Sequence, residues 1–183
     1  MQARKSLELT VAVLKPHVVK SPFVLQKIRD LIIENNFKVV RTRRTILTSQ
    51  EAASFYFDHK DKFFYNRLLT FMCSGPSDIH ILAGHDAIIR WRKLMGPTKT
   101  YQAQYIAPDT IRGMFGLTDT RNATHGSDSP ESVSREIAIF FQDFDIKRWY
   151  ENEEVFYNSE KVQFDPTSFV HIVVKDSLTP LKG

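Results

Sequence analysis

The stretch Leu7-Glu8-Leu9-Thr10-Val11-Ala12-Val13-Leu14-Lys15-Pro16 alternates, then runs apolar, then stops at Lys-Pro. This pattern predicts a β-strand as the first element of the chain. Beyond it, Ser21-Pro22 reads as a helix cap followed by a first-turn proline. Val24, Ile28, Leu31 and Ile32 recur at helical spacing, and Asn35-Asn36 ends that helix. The Val-, Ile- and Thr-rich run over 37–47 predicts a second strand. Thr48 and Glu51 have capping-box spacing, so a helix is expected over 49–58, and another over 62–72. Ser74-Gly75-Pro76 breaks the chain before a short third strand over 79–83. Ala87, Ile88, Trp91 and Leu94 share one side of a helix over 86–95, stopped by Gly96-Pro97. Residues 97–109 read as a long loop, a kind of segment that is usually functional or disordered. One or two helical turns over 110–115 and a short strand over 122–124 lead to His125-Gly126-Ser127. Ser129-Pro130 then starts a helix to about Phe141. The order reduces to βαββαβ. The expected fold is α+β, a ferredoxin-like antiparallel sheet covered by helices, with additional helices and an acidic C-terminal extension.

Length and charge frame this reading. The chain has 183 residues and one cysteine, Cys73, too few thiols for an intrachain disulfide or a four-cysteine zinc site. A reducing, intracellular compartment is the expectation. No apolar run reaches the length of a membrane-spanning helix, so no membrane partner is expected. The basic N-terminus is too short for a secretory signal. Residues 151–183 carry six acids and three lysines, and residues 1–150 carry 22 basic and 15 acidic side chains, net +7. The division expected is a main domain over 1–150 and an acidic extension over 151–183. That extension has one candidate strand over 170–174 and reads as flexible or partner-dependent. The basic body suits phosphate-bearing ligands.

Absences narrow the chemistry. There is no G-x-x-x-x-G-K-[ST], no pair of glycines in G-x-G, and no protein-kinase catalytic loop. A nucleotide site here must grip phosphates with side chains. The densest polar constellation is Arg121-Asn122-Ala123-Thr124-His125-Gly126-Ser127-Asp128-Ser129. A histidine at a strand end before glycine can meet a substrate, and neutral imidazole is a competent nucleophile toward phosphorus. Glu136 lies two turns into the next helix, with its side chain directed back toward His125, where it would orient the ring. On these residues alone a second reading stands: Ser127, Asp128 and Ser129 cap a helix, and His125 is a surface neighbour. The other histidines read as structural.

Asn122-x-x-His125-Gly126-Ser127-Asp128-Ser129 with Glu136-Ile137 resembles the signature of the nucleoside diphosphate kinase family. Val13-Leu14-Lys15-Pro16 resembles the first-strand lysine motif of that family, and residues 56–64 its tyrosine-to-phenylalanine segment. Residues 92–98 and 110–113 are similar to its two phosphate-contact segments. The resemblance runs in order from about 8 to 150, and residues 95–98 and 115–121 are closest to the sixth type in the divergent second group of the family. It implies γ-phosphate transfer from a nucleoside triphosphate to a nucleoside diphosphate, by a ping-pong mechanism through phospho-His125. It further implies Lys15, Tyr56 and Glu136 as catalytic companions of His125. Lys15, Phe64, Arg92, Thr98, Arg112 and Asn122 would bind the nucleotide. The implied cofactor is Mg²⁺, held by nucleotide phosphates with no protein ligands. The implied compartment is the cytoplasm or, for the second group, the mitochondrion.

The chain also departs from the common forms of that family. His17 replaces an aspartate, Pro97 replaces a glutamate, and the loop from Thr98 to Arg112 is about three residues longer, although Pro108 is kept. This loop helps pack subunits in those forms. A homo-oligomer or a protein partner is therefore an open expectation. The alternative function is a nucleotide-binding regulatory module with weak, partner-dependent kinase activity. Nucleic acid is not an expected partner.

Overall fold

A computed structural model describes residues 5–174. The elements, in chain order, are β1 (Glu8–Leu14), α1 (Pro16–Val19), α2 (Pro22–Glu34), β2 (Lys38–Thr45) and α3 (Ser49–Phe55). A 3₁₀ turn at Phe57–His59 leads to α4 (Tyr65–Met72), β3 (Ser77–Gly84), α5 (Ala87–Met95), α6 (Thr100–Ile106) and α7 (Ile111–Phe115). The chain continues through β4 (Thr124–Gly126), α8 (Pro130–Phe140), α9 (Ile146–Asn152), α10 (Glu154–Asn158), β5 (Val162–Asp165) and β6 (Val170–Val173).

The four main strands form an antiparallel sheet in the order β2-β3-β1-β4. This is the α+β, ferredoxin-like arrangement expected from the element order. Central β1 explains why its sequence only partly alternates. Leu9, Val11 and Val13 face one core with Phe55, Met72 and Ile137, while Ala12 and Leu14 face a second core with Ile28, Trp91 and Ile111. A strand covered on both faces has no solvent side on which to place polar residues. At the start of α3 the capping box is complete. Glu51 N donates to Thr48 Oγ1 at 3.1 Å, and Thr48 N donates to Glu51 Oε2 at 2.9 Å.

Three local expectations are corrected. Residues 97–109 are not simply loop, because α6 occupies most of them. Only Thr100 and Ala103 of α6 are buried, so no apolar period marks it. Its first turn is capped from a distance, with Thr100 N donating to Asp119 Oδ1 at 3.2 Å. The last strand begins at Thr124 and contains His125 at its centre. Ala123 has φ 72°, a left-handed kink that holds the ladder off until the next residue. Ser21 occupies the N-cap position of α2 without a side-chain capping bond.

Residues 151–174 were expected to be an appendage, yet they pack on the body. Tyr157 and Phe169 are buried at 2% and 4% exposure, within the two cores. The antiparallel β5–β6 hairpin reaches the outer edge of β2. Val39 N donates to His171 Nδ1 at 2.9 Å, next to a register shift between Val39 and Arg41. Thr42 Oγ1 donates to the Phe169 carbonyl at 2.7 Å, and Tyr157 Oη donates to the His171 carbonyl at 3.0 Å. The hairpin thereby covers an edge strand that would otherwise show unpaired peptide groups. The charge split of the sequence is in part internal, since Glu160 pairs with Lys38 and Glu154 accepts from Leu7 N. Ending the chain after Tyr150 removes both aromatic anchors. The truncated protein should lose roughly 3–5 kcal/mol of stability and aggregate more readily. Urea unfolding of the two forms measures the difference, and equal midpoints would mean the hairpin adds nothing.

Candidate active site

Two of the functional side chains come from the sheet, Lys15 just past the end of β1 and His125 within β4. Lys15 follows β1, and Lys15 N donates to the Ala123 carbonyl at 3.0 Å, which ties the end of β1 to the kink before β4. His125 is paired with Val13 in the ladder. Gly126 is required beside it. A Cβ there would lie 2.4 Å from Trp91 Cδ1, and the Trp91 indole N–H donates to the His125 carbonyl at 3.2 Å.

Behind His125, hydrogen bonds converge on the Glu136 carboxylate. Val11 N donates to Ser127 Oγ at 3.0 Å, and Ser127 Oγ donates to Glu136 Oε2 at 2.6 Å. Glu136 Oε1 lies 3.0 Å from His125 Nε2. With the Ser127 proton on one oxygen of the carboxylate, the other accepts the Nε2 proton. Nδ1 is left as the ring nitrogen with a lone pair, and it makes no hydrogen bond among the described residues. Phe55 fixes the ring from the side, edge-on with centroids 4.6 Å apart. Ser129 does act as a cap, its Oγ accepting from Ser132 N, while Asp128 accepts only from the Ser132 hydroxyl. Ser127 does not cap the helix. It is fully buried and holds Glu136.

In front of His125 lies a cleft of about 1020 Å³. Lys15, Tyr56, Phe64, Arg92, Thr98, Arg112, Asn122 and His125 all line it, and Glu136 stands behind the wall. Segments up to 110 residues apart thus meet in one place. Lys15 is 4% exposed, with its ammonium donating to the Thr120 carbonyl at 3.1 Å. Burial and the nearby Arg112 push its pKa down to about 7. Arg112 donates to the carbonyls of Gly96 and Thr124, both at 2.9 Å, and burial with Arg92 alongside lowers its pKa to about 10. Burial, with Glu136 nearby, drives the Tyr56 hydroxyl well above the usual phenol range. Asn122 Nδ2 donates to the Thr98 carbonyl at 3.2 Å. Tyr56 Oη, Arg112 Nε and Asn122 Oδ1 are buried and have no hydrogen-bond partner among the described residues. Buried polar atoms are rarely left that way, so three of them in one cationic cleft mark a place shaped for a polar, anionic ligand.

Sequence reasoning missed several wall residues. His59, read as structural, stacks on Tyr56 with ring centroids 6.2 Å apart and also contacts Phe64. Arg67, Lys93 and Lys99 add cations, and Asp119 and Thr120 line the mouth. Lys93 and Lys99 sit within or beside a segment already singled out, so their charge was visible. Asp119 and Thr120 carry no pattern of their own. Of the remaining histidines, His80 is buried and lies 2.8 Å from Thr42 Oγ1, and His171 holds β2, both structural as read.

A model of the nucleoside diphosphate kinase family matches residues 8–146. The chain belongs to the nucleoside diphosphate kinase family. Human nucleoside diphosphate kinase 6 is 48% identical over 173 residues, covering 94% of this chain and 93% of the human protein. A crystal form of the Aquifex aeolicus nucleoside diphosphate kinase superposes with a TM-score of 0.71 at 38% identity, over 74% of this chain and 96% of that one. A halophilic nucleoside diphosphate kinase from Halobacterium salinarum in complex with CDP gives 0.68 at 32% identity, over 78% and 97%. The family match ends at 146, so the hairpin that covers β2 lies outside it, although the likeness to the human protein extends over most of the chain.

Proposed function

We propose that this protein is an active nucleoside diphosphate kinase that works by ping-pong transfer through phospho-His125. The observation that carries the reading is the His125 ring, clamped at Nε2 by Glu136 and bare at Nδ1, on the wall of a cleft lined with buried cations. The Nδ1 lone pair attacks the γ-phosphorus of a nucleoside triphosphate. The bond from that phosphorus to the β-phosphate oxygen breaks, and the diphosphate leaves. A β-phosphate oxygen of a second diphosphate then attacks phospho-His125, and the ring regains its lone pair. Charge grows on the phosphoryl oxygens in each transition state, so positioned cations are the main catalytic resource.

Lys15, Arg92 and Arg112 supply that charge, and the Thr98 hydroxyl adds a donor. Lys15 and Asn122 hold the ribose hydroxyls. Phe64 stacks on the base, a contact that every base can make. Tyr56 directs its hydroxyl to Lys15 or to the phosphohistidine. Among the described residues there is no cluster of three metal-ligating side chains, and the carboxylates of the wall are Asp119 and Asp128. Such a wall suits Mg²⁺ that is carried in on the phosphates, where it would neutralise their charge. The test is transfer itself. Incubation with γ-labelled ATP should leave acid-labile, base-stable label on the protein, and adding any unlabelled diphosphate should discharge it. Label that stays put when diphosphate is added would rule out turnover through this intermediate.

A further inference from the structure

The β5–β6 hairpin lies beside β2 without joining its ladder: the main sheet has four strands, and β5 and β6 form a separate pair. Side chains make the connection. Among the described residues, the one β2 amide that the hairpin engages is Val39 N, and its acceptor is the ring nitrogen His171 Nδ1 at 2.9 Å. An imidazole nitrogen accepts only while it carries no proton, so His171 is neutral here, with its proton on Nε2. Thr42 makes a second tie. Its hydroxyl proton goes to the Phe169 carbonyl at 2.7 Å, so it accepts in turn from His80 Nδ1, 2.8 Å away. The third tie is the Lys38–Glu160 ion pair, whose carboxylate is exposed. Phe169 closes over this edge, its ring centroid 5.1 Å from that of His80 and 4.5 Å from the Arg29 guanidinium carbon. Both joints of the hairpin are bent into the left-handed region, Glu160 with φ 60° shortly before β5 and Phe169 with φ 52° just before β6. A phenylalanine holds that conformation only where its surroundings impose it.

We infer that this hairpin is a proton-released strap: protonation of His171 takes away the acceptor of the Val39 amide and frees the outer edge of β2. In the cationic ring Nδ1–H and Val39 N–H point at each other, two donors with no acceptor between them. A buried amide left unpaired is costly. No backbone ladder resists release, and release relaxes Phe169. The groups facing the ring come from three elements and the turn before one of them. Lys38 of β2 and Glu160, ahead of β5, both act on its charge. The Phe164 ring of β5 lies 5.1 Å away, and Tyr157 of α10 donates to the His171 carbonyl. Burial, with the Lys38 ammonium beside it, brings the His171 pKa down from 6.5 to about 4. The open strap, with its ring in water, therefore binds the proton more tightly than the closed one. As pH falls from 6.5 to about 4 the open population grows, by up to about tenfold per unit, and below that it levels off. His80 follows rather than leads. It faces Asp78, Arg29 and Arg44, and burial brings its pKa down to about 3. Its Nδ1 already donates, so a further proton creates no clash with Thr42. β2 and β4 are opposite edges of the sheet, so the strap opens away from His125. The inference stands apart from the kinase reading.

The experiment is native hydrogen exchange on the full-length protein between pH 7 and 5, corrected for the intrinsic pH dependence of exchange. It compares the wild type with His171→Asn. The asparagine Oδ1 takes the place of Nδ1 as acceptor and does not titrate. In the wild type the Val39 amide and the amides over 162–173 should lose protection by roughly 20-fold between pH 7 and 5, as local opening linked to one proton requires. Amides at the centre of β1 and β3 should keep theirs. In His171→Asn the loss at Val39 and over 162–173 should stay under about twofold. Wild-type protection at Val39 that holds within twofold over this range would overturn the inference, whatever the stability of the variant. An equal loss in His171→Asn would overturn it, and so would a loss shared equally by β1 and β3, which marks global unfolding. None of these outcomes touches phosphoryl transfer through His125.

Discussion

His125→Ala is expected to lower phosphoryl transfer by at least about 10⁴-fold, as loss of a covalent nucleophile does, and to abolish acid-labile labelling from γ-labelled ATP. The fold should survive. His125 is not a core anchor: its side chain is 28% exposed, and its structural contacts are the edge of Phe55 and the bond to Glu136. Glu136 would still hold the Ser127 hydroxyl at 2.6 Å, so its carboxylate would not be stranded. Nucleotide binding should also persist, because Lys15, Phe64, Arg112 and Asn122 are untouched. The three readouts belong together: label, nucleotide affinity and thermal unfolding. Loss of label with affinity and unfolding temperature kept is the expected pattern. Equal labelling of wild type and variant would place the nucleophile elsewhere and remove the proposed mechanism.

Glu136→Gln separates ring orientation from nucleophilicity. Glutamine can accept the Nε2 proton through its carbonyl, but its amide would face Ser127 as a donor. The direction of the Val11–Ser127–Glu136 chain would then be contested.

The sheet was legible because β1 to β3 lie in runs rich in Val, Ile, Leu or Thr, and each run is bounded by Pro, Gly or Asn. The approximate position of Glu136 was legible too, since helix geometry directs its side chain toward the strand before it. The wall residues Lys15, Tyr56, Arg92 and Arg112 were a different matter. Nothing in their local spacing brings them together, and they were picked out by family resemblance alone. What hid α6 was its cap, which comes from Asp119 rather than from a neighbouring residue. What hid Ser127 was its company, since two residues on comes Ser129, which does cap a helix. The fold of 151–174 was hidden for a third reason. Its acids suggested a solvated segment, whereas its few buried groups, Tyr157, Phe169 and His171, meet partners more than 100 residues away in β2 and the two cores.

Lys15→Met should remove turnover and raise stability together. In the folded protein burial and Arg112 hold the Lys15 pKa near 7, against 10.5 in an unfolded chain. Below about pH 7 both states carry the proton, so folding bears the whole penalty of burying the charge. Between about pH 7 and 10.5 the unfolded chain holds more protons than the folded one, so the stability of the wild type climbs with pH across that window. Methionine has no charge to bury. The variant should therefore be more stable by roughly 1–3 kcal/mol at pH 6–7, about 3–10 °C in unfolding temperature. The gain should shrink steadily toward pH 10. Turnover should fall about 10²–10³-fold, the scale of losing one positioned electrostatic contact. The same buried ammonium predicts proton uptake on binding, because nucleotide phosphates beside Lys15 raise its pKa again. Calorimetry of nucleotide binding at pH 8, in buffers of different ionisation enthalpy, should show that uptake in the wild type and much less in Lys15→Met. A variant with unchanged stability at every pH, and with normal turnover, would mean that Lys15 is neither a strained buried charge nor a phosphate contact. A group that destabilises the empty fold and is relieved by the ligand is what a site built around phosphate charge should contain.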